Sequence, residues 1–221
     1  MQQDDELVLD ALLRLARAGK KIRVSGHRAS VEQSIRTFLV GRLQLATVEK
    51  LEQFQTKARR GELGLDELDV ICGHIIFPPE EDNAGYLPVA RLIYQTQGTV
   101  TVMRLHIGFF LFHDFSDDAG PKCIGIRFEA PEGAGGGHHD YYHAQFIRRL
   151  GDREGIDLTS MDFVPDNQPA IPLLATCRVT LLLSAVLAIY GLKFFNSTIV
   201  AVFRGNDVLE NRVREWLPTV V

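Results

Sequence analysis

Lys122-Cys123-Ile124-Gly125-Ile126-Arg127-Phe128-Glu129 and Tyr141-Tyr142-His143-Ala144-Gln145-Phe146-Ile147 decide how the chain is read. Both alternate with period two, which marks half-buried strands. In the first, Ile124, Ile126 and Phe128 share a face and Arg127 and Glu129 take the other. In the second, Tyr142, Ala144 and Phe146 suit the buried face, with Tyr141, His143 and Gln145 opposite. Two such segments so close in sequence predict an antiparallel pair. The link between them, Ala130 to Asp140, is too long and glycine-rich for a tight turn, so a mobile flap over the sheet is expected.

Outward from this pair, Thr99 to Ile107 and Gly108 to Phe112 read as strand, Val70 to Phe77 as a strand or a short helix followed by a strand, and Leu87 to Ile93 as a short helix. Residues 5–18 form an apolar-faced helix ended by Gly19. Ile22 and Val24 carry a short extended segment. Ser30 and Gln33 have capping-box spacing for a second helix. Its apolar residues, from Ile35 to Phe54, carry the helical period toward Arg60, with Gly41 as a break or kink. Near the other end, Val179 to Tyr190 is an oily helix with Gly191 at its C-terminal side. Thr198 to Phe203 reads as another strand, and Asp207 with Glu210 as the capping box of a final helix. The fold class is α+β: a central, mostly antiparallel sheet, N-terminal helices and a buried helix near residues 178–190. A single compact domain over 1–221 is expected, with a possible helical subregion at 1–60.

The chain has 221 residues, 46% of them apolar and 24% charged, with a formal charge of −4. These are ordinary globular values. Residues 1–60 carry 12 basic and 7 acidic side chains, and residues 61–221 carry 12 and 21. The acidic remainder lacks the basic footprint that duplex binding draws on, so duplex nucleic acid is disfavoured as a partner. The two parts can attract one another or a second subunit. As a helix, the oily run covers about 18 Å, short of a bilayer core of roughly 30 Å, so no membrane association is expected. Cys72, Cys123 and Cys177 offer neither a disulfide framework nor a four-cysteine zinc site. With a polar, acidic N-terminus lacking secretory-signal character, they point to the cytoplasm.

Three of the seven histidines fall within His138-His139-Asp140-Tyr141-Tyr142-His143. His138 and His139 are the candidate metal ligands, for a divalent transition metal, although a protein without a cofactor is the first expectation. A second constellation crosses the strand pair. Arg127, Glu129, His143 and Gln145 face one side if the strands pair as drawn. Glu129 would orient His143 for proton transfer, Arg127 would hold an anion and Gln145 would position it. The same residues make an exposed cross-strand network or a recognition surface, with Tyr141 beside them and Arg104 and His106 extending it from the preceding strand. No Gly-x-Ser-x-Gly, Gly-x-x-x-x-Gly-Lys or Gly-x-Gly-x-x-Gly is present. The first expectation is a non-catalytic recognition or assembly protein, partnered by another protein or by self-association through the N-terminal helices. The alternative is a small hydrolase or nucleic-acid-processing enzyme using the His/Glu/Arg surface, with or without a metal.

Overall fold

The computed structural model describes residues 3–21, 26–40, 45–71, 85–97, 100–113, 122–129, 141–147 and 171–219. Among the described residues, three helices, α1 (Gln3–Lys21), α2 (His27–Val40) and α3 (Val48–Arg60), precede six strands: β1 (Leu65–Ile71), β2 (Gly85–Gln97), β3 (Val100–His113), β4 (Lys122–Glu129), β5 (His143–Ile147) and β6 (Ile171–Pro172). Helices α4 (Arg178–Phe194), α5 (Val200–Val202) and α6 (Asp207–Trp216) follow. The strands form one sheet in chain order, each antiparallel to the next. This is the mixed α+β class expected, with N-terminal helices and central antiparallel strands.

The period-two alternation of the strands separates two faces. One transverse row reads Val70, Ala90, Ile107, Phe128, Ala144, Ile171. Val70, Ala90, Phe128 and Ala144 are buried in the same core as α1 and α4. The neighbouring row reads Asp69, Arg91, His106, Glu129, His143, Pro172. A one-residue slip would exchange these rows, moving ionisable groups into the core, so the register is strongly specified.

Helix α1 buries Val8, Leu9, Ala11, Leu12, Leu13 and Leu15, a wider band than one helical stripe. The band is wide because α1 meets α3, α4, α6 and β1. Full burial of each leucine contributes about 2 kcal/mol. In α4, Val179, Leu181, Leu182, Leu183, Ala185 and Val186 are buried as well. Among the described residues no single helix is long and apolar enough to cross a membrane. The apolar segments Arg178–Ala188 and Tyr190–Val202 bend by 102°. Gly191, at φ 75° and ψ 162°, lies at that bend, in a backbone region essentially reserved for glycine.

Several expectations are corrected. The helical run from Ser30 to Arg60 is two helices, the first ending at Val40 beside the Gly41 read as a break; its start and the second helix's start differ from expectation. Helix α2 starts at His27, so Ser30 lies inside it rather than capping it. The chain then docks on the sheet, where Leu45 bridges Asp69 and the Ala46 N–H donates to the Asp69 carbonyl at 2.7 Å. Thr47 restarts the helix by accepting from the Lys50 N–H, and Gly61 ends α3 in the left-handed region at φ 68°. Gly19 does not end α1, which continues to Lys21.

Leu87 to Ile93 is part of β2, not a helix; pairing on both sides with β1 and β3 overrides its ambiguous apolar spacing. Thr198 to Phe203 is helical, not a strand. Phe195, Ile199 and Phe203, four apart, are all buried, and that shared helical face outweighs the β-branched residues between them. The last helix is capped by Asn206, whose side chain accepts from the Leu209 N–H at 3.1 Å, while Glu210 accepts from the Gly205 N–H. The extended segment at 22–24, residues 72–77 of the first predicted strand and the flap at 130–140 lie outside the described residues.

Candidate functional site

Strand β4 ends on Glu129 and β5 begins on His143, and the register sets them directly opposite. His143 Nε2 lies 3.1 Å from Glu129 Oε2, and His143 Nδ1 lies 3.0 Å from the Tyr141 carbonyl oxygen. Both side chains are buried, His143 at 3% and Glu129 at 8% exposure, although they stand on the row opposite the apolar core. The exposed-network reading of this pair is therefore corrected: it is a buried hydrogen-bonded pair. The Tyr141 ring meets the His143 ring edge-on, with centroids 5.7 Å apart, and is itself 41% exposed.

Hydrogen-bond chemistry restricts the protons. A carbonyl oxygen only accepts, so His143 Nδ1 carries a proton. A neutral imidazole then presents a lone pair at Nε2, toward a carboxylate that also only accepts. Two acceptors do not bond each other, so the 3.1 Å contact requires a proton between them. A second ring proton, or a proton on Glu129, meets that requirement.

The remaining candidates are placed by backbone register. Arg127 pairs with Gln145, two positions along the same two strands and separated from the Glu129–His143 pair by Phe128 and Ala144, so the four residues named from the sequence occupy alternate register positions. His106 is the register partner of Glu129 on its other side, and Arg104 pairs with Ile93. His138 and His139 lie outside the described residues. Among the described residues, no group of three His, Cys, Asp or Glu side chains is gathered to hold a metal.

A second polar cluster, on the helical side of β5, was not legible from the sequence. The Arg178 N–H donates to Asp4 Oδ2 at 2.9 Å, and the Arg178 guanidinium donates to the buried Asp5 at 2.8 Å. The Thr180 hydroxyl accepts the N–H groups of Thr176 and Cys177. The Leu173 N–H donates to the Tyr142 carbonyl. Burial, then the charge of Asp4, push the Tyr142 phenol up to about 12, against the opposing pull of Arg178. The available signal was Asp4-Asp5 ahead of an apolar helix, but the run alone does not name a partner at Arg178.

Comparison with protein-family models, with curated proteins and with solved structures finds no match to the chain.

Proposed function

We propose that the chain is a cytoplasmic recognition or assembly protein without catalytic activity of its own, organised as one domain over residues 1–221. The observation that carries this reading is the commitment of both His143 ring nitrogens, one to the Tyr141 carbonyl and one to Glu129. A general base needs a nitrogen within reach of the substrate proton. In this arrangement the imidazole fixes the sheet edge instead. Above it, Tyr141 and Leu174 are exposed, Leu174 at 73%. The β5–β6 register, continued by the Leu173-to-Tyr142 hydrogen bond, brings these two residues opposite one another.

The partner proposed is a second copy of the chain. Helices α1 and α3 turn their apolar faces into the chain's own core, leaving the exposed Lys57, Arg59 and Arg60 at the end of α3 as a basic contact. The acidic balance of residues 61–221 is the complementary charge. Light scattering after size exclusion tests this directly. A dimer that weakens with added salt, and with Leu174→Ser or Tyr141→Ser, is expected. A strict monomer at every workable concentration rejects self-association.

One observation favours the alternative, a hydrolase or nucleic-acid-processing enzyme: the 3.1 Å approach of Glu129 to His143 beside the Arg127–Gln145 register pair. In that reading substrate binding releases one ring nitrogen. A turnover that disappears in His143→Gln while the fold persists would favour it over assembly.

A further inference from the structure

We infer that the end of the molecule where α1 and α4 begin and α3 stops is a self-complementary surface that joins two copies of the chain about a two-fold axis. The inference rests on the self-association reading and adds to it the place and the symmetry of the contact.

Three helix termini meet at this end. Helix α3 runs antiparallel to α1, because Arg17 pairs with Glu52 at one end and Arg59 Nε lies 3.8 Å from Glu6 Oε1 at the other. The last turn of α3 therefore lies beside the first turn of α1. That first turn also meets the start of α4, where Asp5 holds the Arg178 guanidinium at 2.8 Å. Four residues before Arg178 stands Leu174, 73% exposed. The Leu173-to-Tyr142 hydrogen bond ties its segment to the start of β5, beside Tyr141. Packed helices stand about 8–10 Å apart, so the two steps from α3 through α1 to α4 cover roughly 20 Å. A standard contact covers about 800 Å² on each partner, roughly 30 Å across, which includes both the α3 terminus and Leu174.

This end carries both signs of charge around an apolar pair. Lys57, Arg59 and Arg60 are exposed in the last turn of α3. Beside them stand Glu6 and Glu62, with side chains 46% and 53% exposed. The ion pairs they form within the chain, Arg59 with Glu6 at 3.8 Å and Arg60 with Glu62 at 4.0 Å, are long and solvated, so little holds them to these partners. In a two-fold contact each patch meets its own copy, so a patch of one sign repels itself. A patch with separate basic and acidic groups does not. Rotated onto itself, it sets the α3 cations of each copy against Glu6 and Glu62 of the other, around Leu174 and Tyr141. An apolar centre with a charged rim is the ordinary anatomy of such a contact. The symmetry closes at two chains and builds no filament.

Two full-length variants test this by sedimentation equilibrium at low salt. Arg59→Glu/Arg60→Glu makes the surface acidic, and Glu6→Lys/Glu62→Lys makes it basic. Each alone repels its own copy and is expected to dimerise at least about 10-fold more weakly than the unaltered chain. Mixed in equal amounts, the two surfaces are opposite, and a mixed dimer within about 3-fold of the unaltered affinity is expected. Should a double variant fail to fold, the single changes Arg60→Glu and Glu62→Lys carry the same mixing test. An unaltered chain that stays monomeric overturns this inference together with the self-association reading. A dimer that Leu174→Ser weakens, but that the charge variants leave intact or their mixture fails to restore, overturns the two-fold charged surface alone. Assemblies larger than a dimer in the unaltered chain also overturn it, because they require a contact that does not close.

Discussion

Asp4 caps a helix that begins 174 residues further along the chain: its Oδ2 accepts the backbone N–H of Arg178 at 2.9 Å. The first turn of α1 thus meets the first turn of α4. Asp5 adds the ion pair to the Arg178 guanidinium from a site of 3% exposure. Replacing Asp4 by Ala removes an N-terminal acceptor and is expected to cost about 1 kcal/mol. Asp5→Ala leaves the guanidinium without its buried carboxylate and is expected to cost more, about 3 kcal/mol. Urea denaturation of the two variants checks the order; equal losses would show that the Asp5 pair contributes no more than the cap.

Tyr142 makes stability fall at high pH. Its phenol ionises at about 12 in the folded chain against an ordinary value of 10.0, because burial and Asp4 disfavour the phenolate. The folded state therefore keeps a proton that the unfolded chain loses. The contribution is fully present below pH 10 and is lost as pH rises toward 12. Tyrosinate absorbance, compared with Tyr142→Phe, identifies the late-titrating phenol. Asp4→Asn removes a charge that opposes ionisation, so it shifts this titration downward.

Glu129→Gln and Glu129→Ala separate charge from hydrogen bonding at the buried pair. A glutamine amide donates to the His143 Nε2 lone pair without any added proton, preserving the 3.1 Å contact. Alanine leaves that nitrogen without its Glu129 contact and is expected to cost about 1–3 kcal/mol more than glutamine. Thermal unfolding of both variants reads the difference, and a Gln variant as unstable as Ala would contradict it.

Gly191 and Gly64 provide a matched comparison. A Cβ at either position meets nothing within 4 Å. Gly191, however, has φ 75° and ψ 162°, whereas Gly64 has no positive φ. Gly191→Ala is expected to cost about 1–3 kcal/mol in backbone strain alone. Gly64→Ala is expected to be near neutral in denaturant midpoint. Equal effects would remove backbone conformation as the reason for glycine at 191.

The strand pair around Phe128 and Ala144 was legible because one face is buried in a sheet whose partners are near in sequence. Alternation then carries the register, including the placement of Glu129 against His143. It could not show that this pair is buried, because the opposite row carries ionisable residues that read as solvent-facing. Leu87 to Ile93 failed for a different reason: its apolar spacing fits either period, and pairing with both β1 and β3 decided between them. Thr198 to Phe203 failed because β-branched residues suggested strand while the Phe195, Ile199, Phe203 spacing carried the packing. The Asp4 to Arg178 contact left no local trace, since each end alone is an ordinary helix start.

The meander and the α1–α4 contact impose an order on synthesis. Every strand pairs with the one just made, so the sheet can grow as the chain emerges. Helix α1 cannot finish in the same way. Its leucines, made first, complete their burial only when α4 and α6 arrive. At about 5–20 residues per second, roughly 10–35 seconds separate Asp4 from Arg178 on the ribosome. Throughout that interval the most apolar face of the N-terminal region waits for its cover, so the nascent chain is the form most exposed to chaperones and to aggregation. A slowed ribosome before residue 178 would lengthen that exposure without altering a single contact of the finished protein.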